Sequence, residues 1–280
     1  MIVTGGSAGI GEQLALALAA SGARVVLAAR RTDELEHVAR ACDALAVRYG
    51  HLNAPTATAV DRSAATHLSR AIAVPTDVAD AASCRALVAA AVDRFGRLDM
   101  LINNAGLAMW ARADEVTDPA IYERVMRVTY FGVLHCTLAA LPHLKQSRGR
   151  IVAVSSLAGR TGVPLRTGYA ASKHAVNGFL DSLRIELRES GVSVTIVCPG
   201  WVATGAQARN LGADGAILGA MPVVVRGAMT AEECAAITLG AAARRQRELV
   251  LGLRARIGLW LKLAFPQVVD AMTARAITGR

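Results

Sequence analysis

Tyr169 and Lys173 lie four residues apart in Tyr169-Ala170-Ala171-Ser172-Lys173. On a helix that spacing puts both side chains on one face. A free phenol ionises near pH 10, and a neighbouring ammonium favours its phenolate. A tyrosine so supported gives a proton to a carbonyl oxygen or takes one from an alcohol. The blander alternative is an ordinary surface pair on a helix.

Other residues matter through what they lack. Thr4-Gly5-Gly6-Ser7-Ala8-Gly9-Ile10-Gly11 stands between a short apolar run and a helical pattern. Glycines adopt positive φ and carry no Cβ, so a pyrophosphate can approach the backbone. The following helix offers free N–H groups and a partial positive charge. Gly5, Ser7, Gly9, Ile10 and Gly11 are therefore candidate phosphate-cradling positions. A plain Gly-rich turn is the alternative, and the strand–loop–helix context weighs against it. After the second apolar run comes Ala28-Ala29-Arg30-Arg31. Sites for NAD usually place an acid there to hold the ribose 2′-OH. Here Ala29 stands near that place, followed by Arg30 and Arg31, whose guanidinium groups suit a 2′-phosphate. NADP(H) is favoured over NAD(H), against the alternative of a solvated arginine pair.

These residues need elements to hold them. Strand-type runs are expected at 2–4, 24–29, 71–74, 100–103, 151–155, 192–198 and 247–251. Helices are expected at 11–21, 33–42, 81–95, 119–141 and 169–190, with another beginning near Thr230, where Thr-Ala-Glu-Glu resembles a capping box. Such alternation predicts an α/β fold: a single Rossmann-type, doubly wound parallel sheet with helices on both faces. The expected domain is 1–251, with a polar insertion at about 43–70 and a Gly-rich substrate loop at about 205–229. Residues 252–280 form an amphipathic C-terminal extension. Within it Leu253, Ile257, Trp260, Leu261 and Ala264 share helical spacing, and Pro266 should end the helix. Two readings stand for this tail: an interfacial membrane helix, or packing over the substrate loop or a second subunit, which carries more weight.

Composition bounds the function. The chain has 280 residues, 53% of them apolar and 19% charged, which excludes a disordered chain. Net charge is +9, without blocks of consecutive basic residues, so no nucleic-acid partner is expected. Five scattered Cys without a Cys-x-x-Cys argue against disulfides or zinc and for a reducing compartment. A cytoplasmic location is expected, with membrane association left to the tail. No secretory signal is expected at the N-terminus. The charge-free runs 128–144 and 190–208 are interrupted by His, Pro, Gly and hydroxyl residues and do not read as membrane spans. His135 and His143 lack acid or Cys partners at metal-ligand spacing, so no metal is expected.

Taken together, the motifs resemble the short-chain dehydrogenase/reductase family over about residues 1–250. The glycine motif matches residues 4–11, and Asp77-Val78 resembles the adenine-contacting pair. Asn103-Asn104-Ala105-Gly106 matches the family's Asn-Asn-Ala-Gly, placing Asn104, Ala105 and Gly106 at the cofactor. Pro199-Gly200, with Val202 and Thr204, matches the segment that meets the nicotinamide. The stretch 169–184 is most similar to the corticosteroid-dehydrogenase-like branch. The resemblance implies Tyr169 as acid/base, Lys173 also bonding the nicotinamide ribose, and Ser156, thirteen residues before Tyr169, polarising the substrate oxygen. Ser155 is the rival for that role, and the spacing favours Ser156. It also implies a homodimer or homotetramer formed by the long helix and the helix after Tyr169.

The chain departs from the family at one catalytic position. Val128-Thr129-Tyr130-Phe131-Gly132 places Thr129 where the family has an Asn that holds a relay water. The first strand also lacks the residues that normally precede it. The favoured reading is an NADP(H)-dependent oxidoreductase acting on a ketone or alcohol. Its substrate is expected to be apolar, because 205–229 is rich in Ala, Leu, Met and Val. The rivals are a cofactor-binding sensor or scaffold with little catalysis, for which Thr129 speaks, and a membrane-surface protein using its basic charge. Met109, Trp110 and Trp201 are balanced between pocket lining and packing. Arg150, Arg160 and Arg166 are expected on surface loops, and His174 off the catalytic face.

Overall fold

The computed structural model describes residues 1–50, 69–220 and 227–278, with side chains left aside at 46–50. The elements in chain order are β1 (Ile2–Thr4), α1 (Gly9–Ala20), β2 (Val25–Ala29), α2 (Thr32–Gly50), β3 (Ala71–Pro75), α3 (Ala81–Phe95) and β4 (Met100–Asn103). Next come α4 (Ala120–Met126), a π turn (Arg127–Phe131), α5 (Gly132–Ser147), β5 (Arg150–Val154), α6 (Thr167–Glu186) and β6 (Ser193–Cys198). The chain continues through β7 (Val202–Ala203), β8 (Met229–Thr230), α7 (Ala231–Ala243), β9 (Glu248–Val250), α8 (Leu253–Ala264) and α9 (Pro266–Thr278).

Seven strands form one parallel sheet in the order β3-β2-β1-β4-β5-β6-β9. The order reverses at β1, and ligands of such sheets bind at the carboxyl ends beside that reversal. The strands are apolar on both faces because helices cover both. Leu87 of α3, Val133 and Leu144 of α5, and Val176 and Leu180 of α6 pack on one face. Leu14 and Leu18 of α1, Leu35 of α2, and Ala235 and Ala242 of α7 pack on the other.

Local chemistry sets the helix ends. Asp80 caps α3 by accepting from the backbone N–H groups of Ala82 and Ser83. Gly96, at φ +75°, ends it. The capping box expected at Thr230 forms with Glu233. Pro266 does follow the end of α8, and it also opens α9 at the position where its missing N–H costs nothing.

Several expectations are corrected. The helix expected at 33–42 runs on to Gly50, into the expected insertion, of which residues 51–68 lie outside the described part. Asp43 closes the excursion at the foot of β3. Its carboxylate accepts from the backbone N–H groups of Arg70 (2.8 Å) and Ala71 (2.9 Å) and from Ser69 Oγ (2.6 Å). The long helix expected at 119–141 reaches Ser147 and contains the π turn. By length and composition Ala120–Ser147 could cross a membrane. Its Cys136, Ala140 and Leu144, however, are fully buried in the core. Within the substrate loop, residues 221–226 lie outside the described part, and β8 pairs with β7.

The tail forms two helices, α8 and α9, that contact each other. No residue of α8 is buried, and Leu253, Ile257, Trp260 and Leu263 are among the most exposed apolar residues described. Lys262 Nζ donates to Thr161 Oγ1 at 3.0 Å, tying α8 to the loop after β5.

Candidate active site

The glycine loop between β1 and α1 is built for close approach. A Cβ on Gly11 would lie 2.2 Å from the Gly5 carbonyl oxygen and 2.6 Å from Asn104 Nδ2. Gly5 and Gly9 have φ of +66° and +59°, a region that side chains disfavour. Asn104 locks the loop from the neighbouring strand end: its Nδ2 donates to the carbonyls of Thr4 (3.0 Å) and Gly5 (3.3 Å). Thr4 Oγ1 in return accepts from the backbone N–H groups of Asn104 and Ala105. A Cβ on Gly9 would meet Thr204, which places Thr204 over the loop from the far side. The cradle fits a dinucleotide pyrophosphate: N–H groups at a helix N-terminus with no side chain in the way. Ser7 and Ile10 sit in the same turn, with Ile10 packed inwards.

Beyond β2 the basic corner takes shape. Arg31 Nη2 donates to Ser7 Oγ at 3.0 Å and Arg31 Nη1 pairs with Glu34 at 3.0 Å. Arg30 is exposed, with no ion pair or side-chain hydrogen bond among the described residues. Arg209, which the sequence did not single out, joins them from the turn Ala206–Arg209. Burial and the charge of Arg31 both hold its guanidinium below the ordinary range. Asp77 is exposed after β3, whereas the Val78 side chain is buried against Gly132. Any contact Val78 makes with a ligand comes from its backbone.

The polar residues converge behind the cradle. Lys173 is 4% exposed, donates from Nζ to the Val154 carbonyl at 2.8 Å and lies 5.7 Å from the centre of the Tyr169 ring. A Cβ on Gly106 would lie 3.9 Å from Lys173 Nζ and 3.8 Å from Thr129 Oγ1, so both flank that glycine. Gly168 lets Tyr169 take its place, because a Cβ there would be 2.8 Å from Tyr122 and 2.9 Å from Met109. Ser156 caps the turn Leu157–Gly159 through Ala158 N–H (3.1 Å). Ser155 faces away, donating to Asn177 Oδ1 at 2.7 Å, while Asn177 holds the Gly159 carbonyl. Pro199 accepts from Leu157 N–H at 3.0 Å and joins the Gly200–Val202 segment to the Ser156 turn.

One group was misplaced on sequence grounds. Arg166, expected on a surface loop, lies over the Tyr169 ring at 4.5 Å, the Trp201 ring at 5.4 Å and the Trp110 ring at 5.8 Å. The two indoles are 6.0 Å apart. Trp110 and Trp201 thus flank Arg166, while Met109 is fully buried core. Arg150 lies in β5 and bonds the Ala242 carbonyl, and Arg160 pairs with Glu248 at 2.7 Å and Asp181 at 3.6 Å. His174 bonds the Ala170 carbonyl within α6.

A family model described as short chain dehydrogenase matches residues 1–65 and 45–213. The chain belongs to the short-chain dehydrogenase family. Its relatives include an Anopheles gambiae "dehydrogenase/reductase SDR family protein 7-like", 34% identical over 96% of this chain and 80% of that protein. A Rattus norvegicus "dehydrogenase/reductase SDR family member 7B" is 33% identical over 90% and 72%. An Arabidopsis thaliana "11-beta-hydroxysteroid dehydrogenase-like 4A" is 34% identical over 98% and 83%. Among solved structures, an alcohol dehydrogenase of the archaeon Thermococcus sibiricus complexed with 5-hydroxy-NADP superposes with a TM-score of 0.71 at 25% identity, covering 89% of this chain and 94% of that one. The relatives place this short-chain dehydrogenase near the steroid-dehydrogenase-like branch, as an oxidoreductase with a Rossmann-type nucleotide-binding fold.

Proposed function

We propose that this short-chain dehydrogenase is an NADP(H)-dependent oxidoreductase acting on the carbonyl or alcohol carbon of a mainly apolar small molecule. The observation that carries the reading is the buried Lys173 ammonium beside the Tyr169 ring, next to a glycine cradle that excludes side chains. The nicotinamide, when bound, supplies or accepts a hydride. Gly5, Ser7, Gly9, Ile10 and Gly11 would hold the pyrophosphate, Arg30 and Arg31 the 2′-phosphate, and Asp77 the adenine end. Asn104, Ala105, Gly106, Pro199, Gly200, Val202 and Thr204 would line the nicotinamide end. Tyr169 then protonates the carbonyl oxygen or deprotonates the alcohol, Lys173 supports the charge on the phenol oxygen, and Ser156 donates to the substrate oxygen. NADPH consumption over a panel of ketones and aldehydes, with alcohols in the reverse direction, tests this. Tight cofactor binding without turnover across the panel would favour the scaffold reading.

The assembly reading is a homodimer or homotetramer through α4–α5 and α6. It rests on the exposed Phe131 and Leu138 on the long helix and Ile185 on α6. The tail is read as a membrane-surface contact. Leu253, Ile257, Trp260, Leu263 and Phe265 are exposed together, beside Arg254, Arg256 and Lys262, and such a face suits an anionic lipid surface. Co-sedimentation with anionic vesicles should be lost when residues 252–280 are removed. The buried free cysteines fit a reducing compartment such as the cytoplasm.

A further inference from the structure

Arg166 is a half-buried cation. Its Nε is buried without a hydrogen-bond partner, and no acid pairs with it among the described residues. Three rings surround it, and each comes from a different part of the candidate site. Trp110 follows the Asn104–Gly106 turn, Trp201 follows Pro199-Gly200, and Tyr169 is the expected proton donor. Burial pulls its ionisation below the ordinary range, opposed by Tyr169. Aromatic faces offset part of the cost of desolvating a guanidinium. They leave its buried Nε–H without a partner, and the planar fork of a guanidinium matches a carboxylate.

The backbone holds Arg166 there at a cost. Leu165, immediately before it, has φ +65°, a region that a bulky side chain rarely occupies. Its carbonyl accepts from Ala111 N–H at 2.9 Å, and Trp110 N–H donates to the Leu211 carbonyl at 2.8 Å. The turn carrying Arg166 is thus stitched to the segment carrying Trp110, which in turn is stitched to the substrate loop. Strain of this kind persists where the surroundings over-determine it, and it clusters at binding sites.

We propose that Arg166 is a specificity-determining residue that anchors a carboxylate on the substrate a few bonds from the reacting carbon, while Trp110 and Trp201 stack on the substrate's apolar body. The substrate class is then an apolar or aromatic oxo acid or hydroxy acid, which refines the proposed function and rests on it. The carboxylate supplies the counter-charge that the fold withholds, and the carbonyl end is left to Tyr169 and Ser156.

Binding, rather than turnover, tests this. The full chain is titrated by tryptophan fluorescence with 4-phenylbutanoate and with its neutral amide, both with NADP⁺ and without it. The wild type should bind the acid about 10- to 100-fold more tightly than the amide, the range of a charge-assisted hydrogen bond. Arg166→Met should remove that preference, and Arg166→Lys should restore part of it. Equal binding of acid and amide by the wild type overturns the proposal without recourse to any variant. A preference that survives in a folded Arg166→Met protein, checked by thermal melting, overturns it as well. In turnover, Arg166→Met should raise KM for an oxo acid about 10-fold or more beyond whatever change it makes for a neutral ketone. Equal losses on both substrates would place Arg166 with Tyr169 rather than with the substrate, again overturning it. Failure of every carbonyl compound to oxidise NADPH strikes the proposed function alone, because the acid–amide titration needs no turnover.

Discussion

Thr129 Oγ1 holds the backbone of Leu107 from both sides, donating to its carbonyl at 2.9 Å and accepting from its N–H at 3.0 Å. The side chain is fully buried in the π turn. One hydroxyl therefore fixes the chain just after Gly106, where Lys173 also arrives. Thr129 is a clamp on that turn. Thr129→Asn should overpack the site and break the paired bonds, at about 1–3 kcal/mol of stability. Turnover should fall with it. Thr129→Val keeps the shape and loses both bonds, and should also melt earlier. A Thr129→Asn protein with unchanged melting and higher turnover would show that the hydroxyl is no clamp.

Tyr169→Phe removes the hydroxyl of Tyr169 and leaves its ring under Arg166. Turnover should drop by about 10²- to 10⁴-fold, the usual worth of a positioned acid or base. NADPH affinity should change little. Near-normal turnover would contradict the role given to Tyr169.

Arg30 has no ion pair or side-chain hydrogen bond among the described residues, whereas Arg31 already serves Ser7 and Glu34. Arg30→Asp should therefore move preference from NADPH toward NADH, since it loses a phosphate partner and gains an acceptor for a 2′-OH. Titration of both cofactors reads this directly. An unchanged affinity ratio would leave Arg31 and Arg209 as the phosphate readers.

Leu138 and Ile185 expose 53% and 73% of their surface on the two helices expected to pair copies of the chain. Leu138→Arg with Ile185→Arg should convert the oligomer to monomer in light scattering, with the fold intact by circular dichroism. A wild type that is already monomeric at micromolar concentration would refute the interface.

Asp181 contributes to the acid dependence of the fold. Burial opposes its ionisation, but hydrogen bonding and charge from Arg184, with Arg160 and Arg247 beyond, hold its carboxyl below the ordinary range. A depressed folded value means the stabilisation is complete above the ordinary carboxylate pKa of about 4 and is lost as pH falls through the folded value. Stability measured by denaturant between pH 6 and pH 3 should fall, and Asp181→Asn should flatten that slope. Equal slopes in the two proteins would remove Asp181 from the account.

Much of this site was legible in the chain because it sits at strand ends. Gly11 and the Tyr169–Lys173 pair answer to constraints read within a few residues, a missing Cβ and a helical repeat, whereas Asn104 came only with the family resemblance. Ser155 and Ser156 were told apart only by the spacing that the family resemblance implies. Arg166 was not legible. Its position depends on a left-handed Leu165 and on two indoles delivered by distant loops, and an arginine in a loop looks the same whether it points to solvent or inwards. The cover of the tail is not legible for a related reason: helical spacing marks an apolar face without naming what covers it, and no residue of α8 is buried.

The bond between Asn104 Nδ2 and the Thr4 carbonyl spans 100 residues of sequence. During synthesis the glycine loop emerges early, with Gly6 N–H bonded to the Ala28 carbonyl at 3.2 Å, and gains its bonds from Asn104 only when β4 follows. Such long-range closure slows folding. A ligand that settles on the finished loop binds only the closed form, so it draws the folding equilibrium forward in proportion to its concentration. Cellular dinucleotide level would then govern how much of the newly made chain reaches the native state, as well as how fast the native enzyme works.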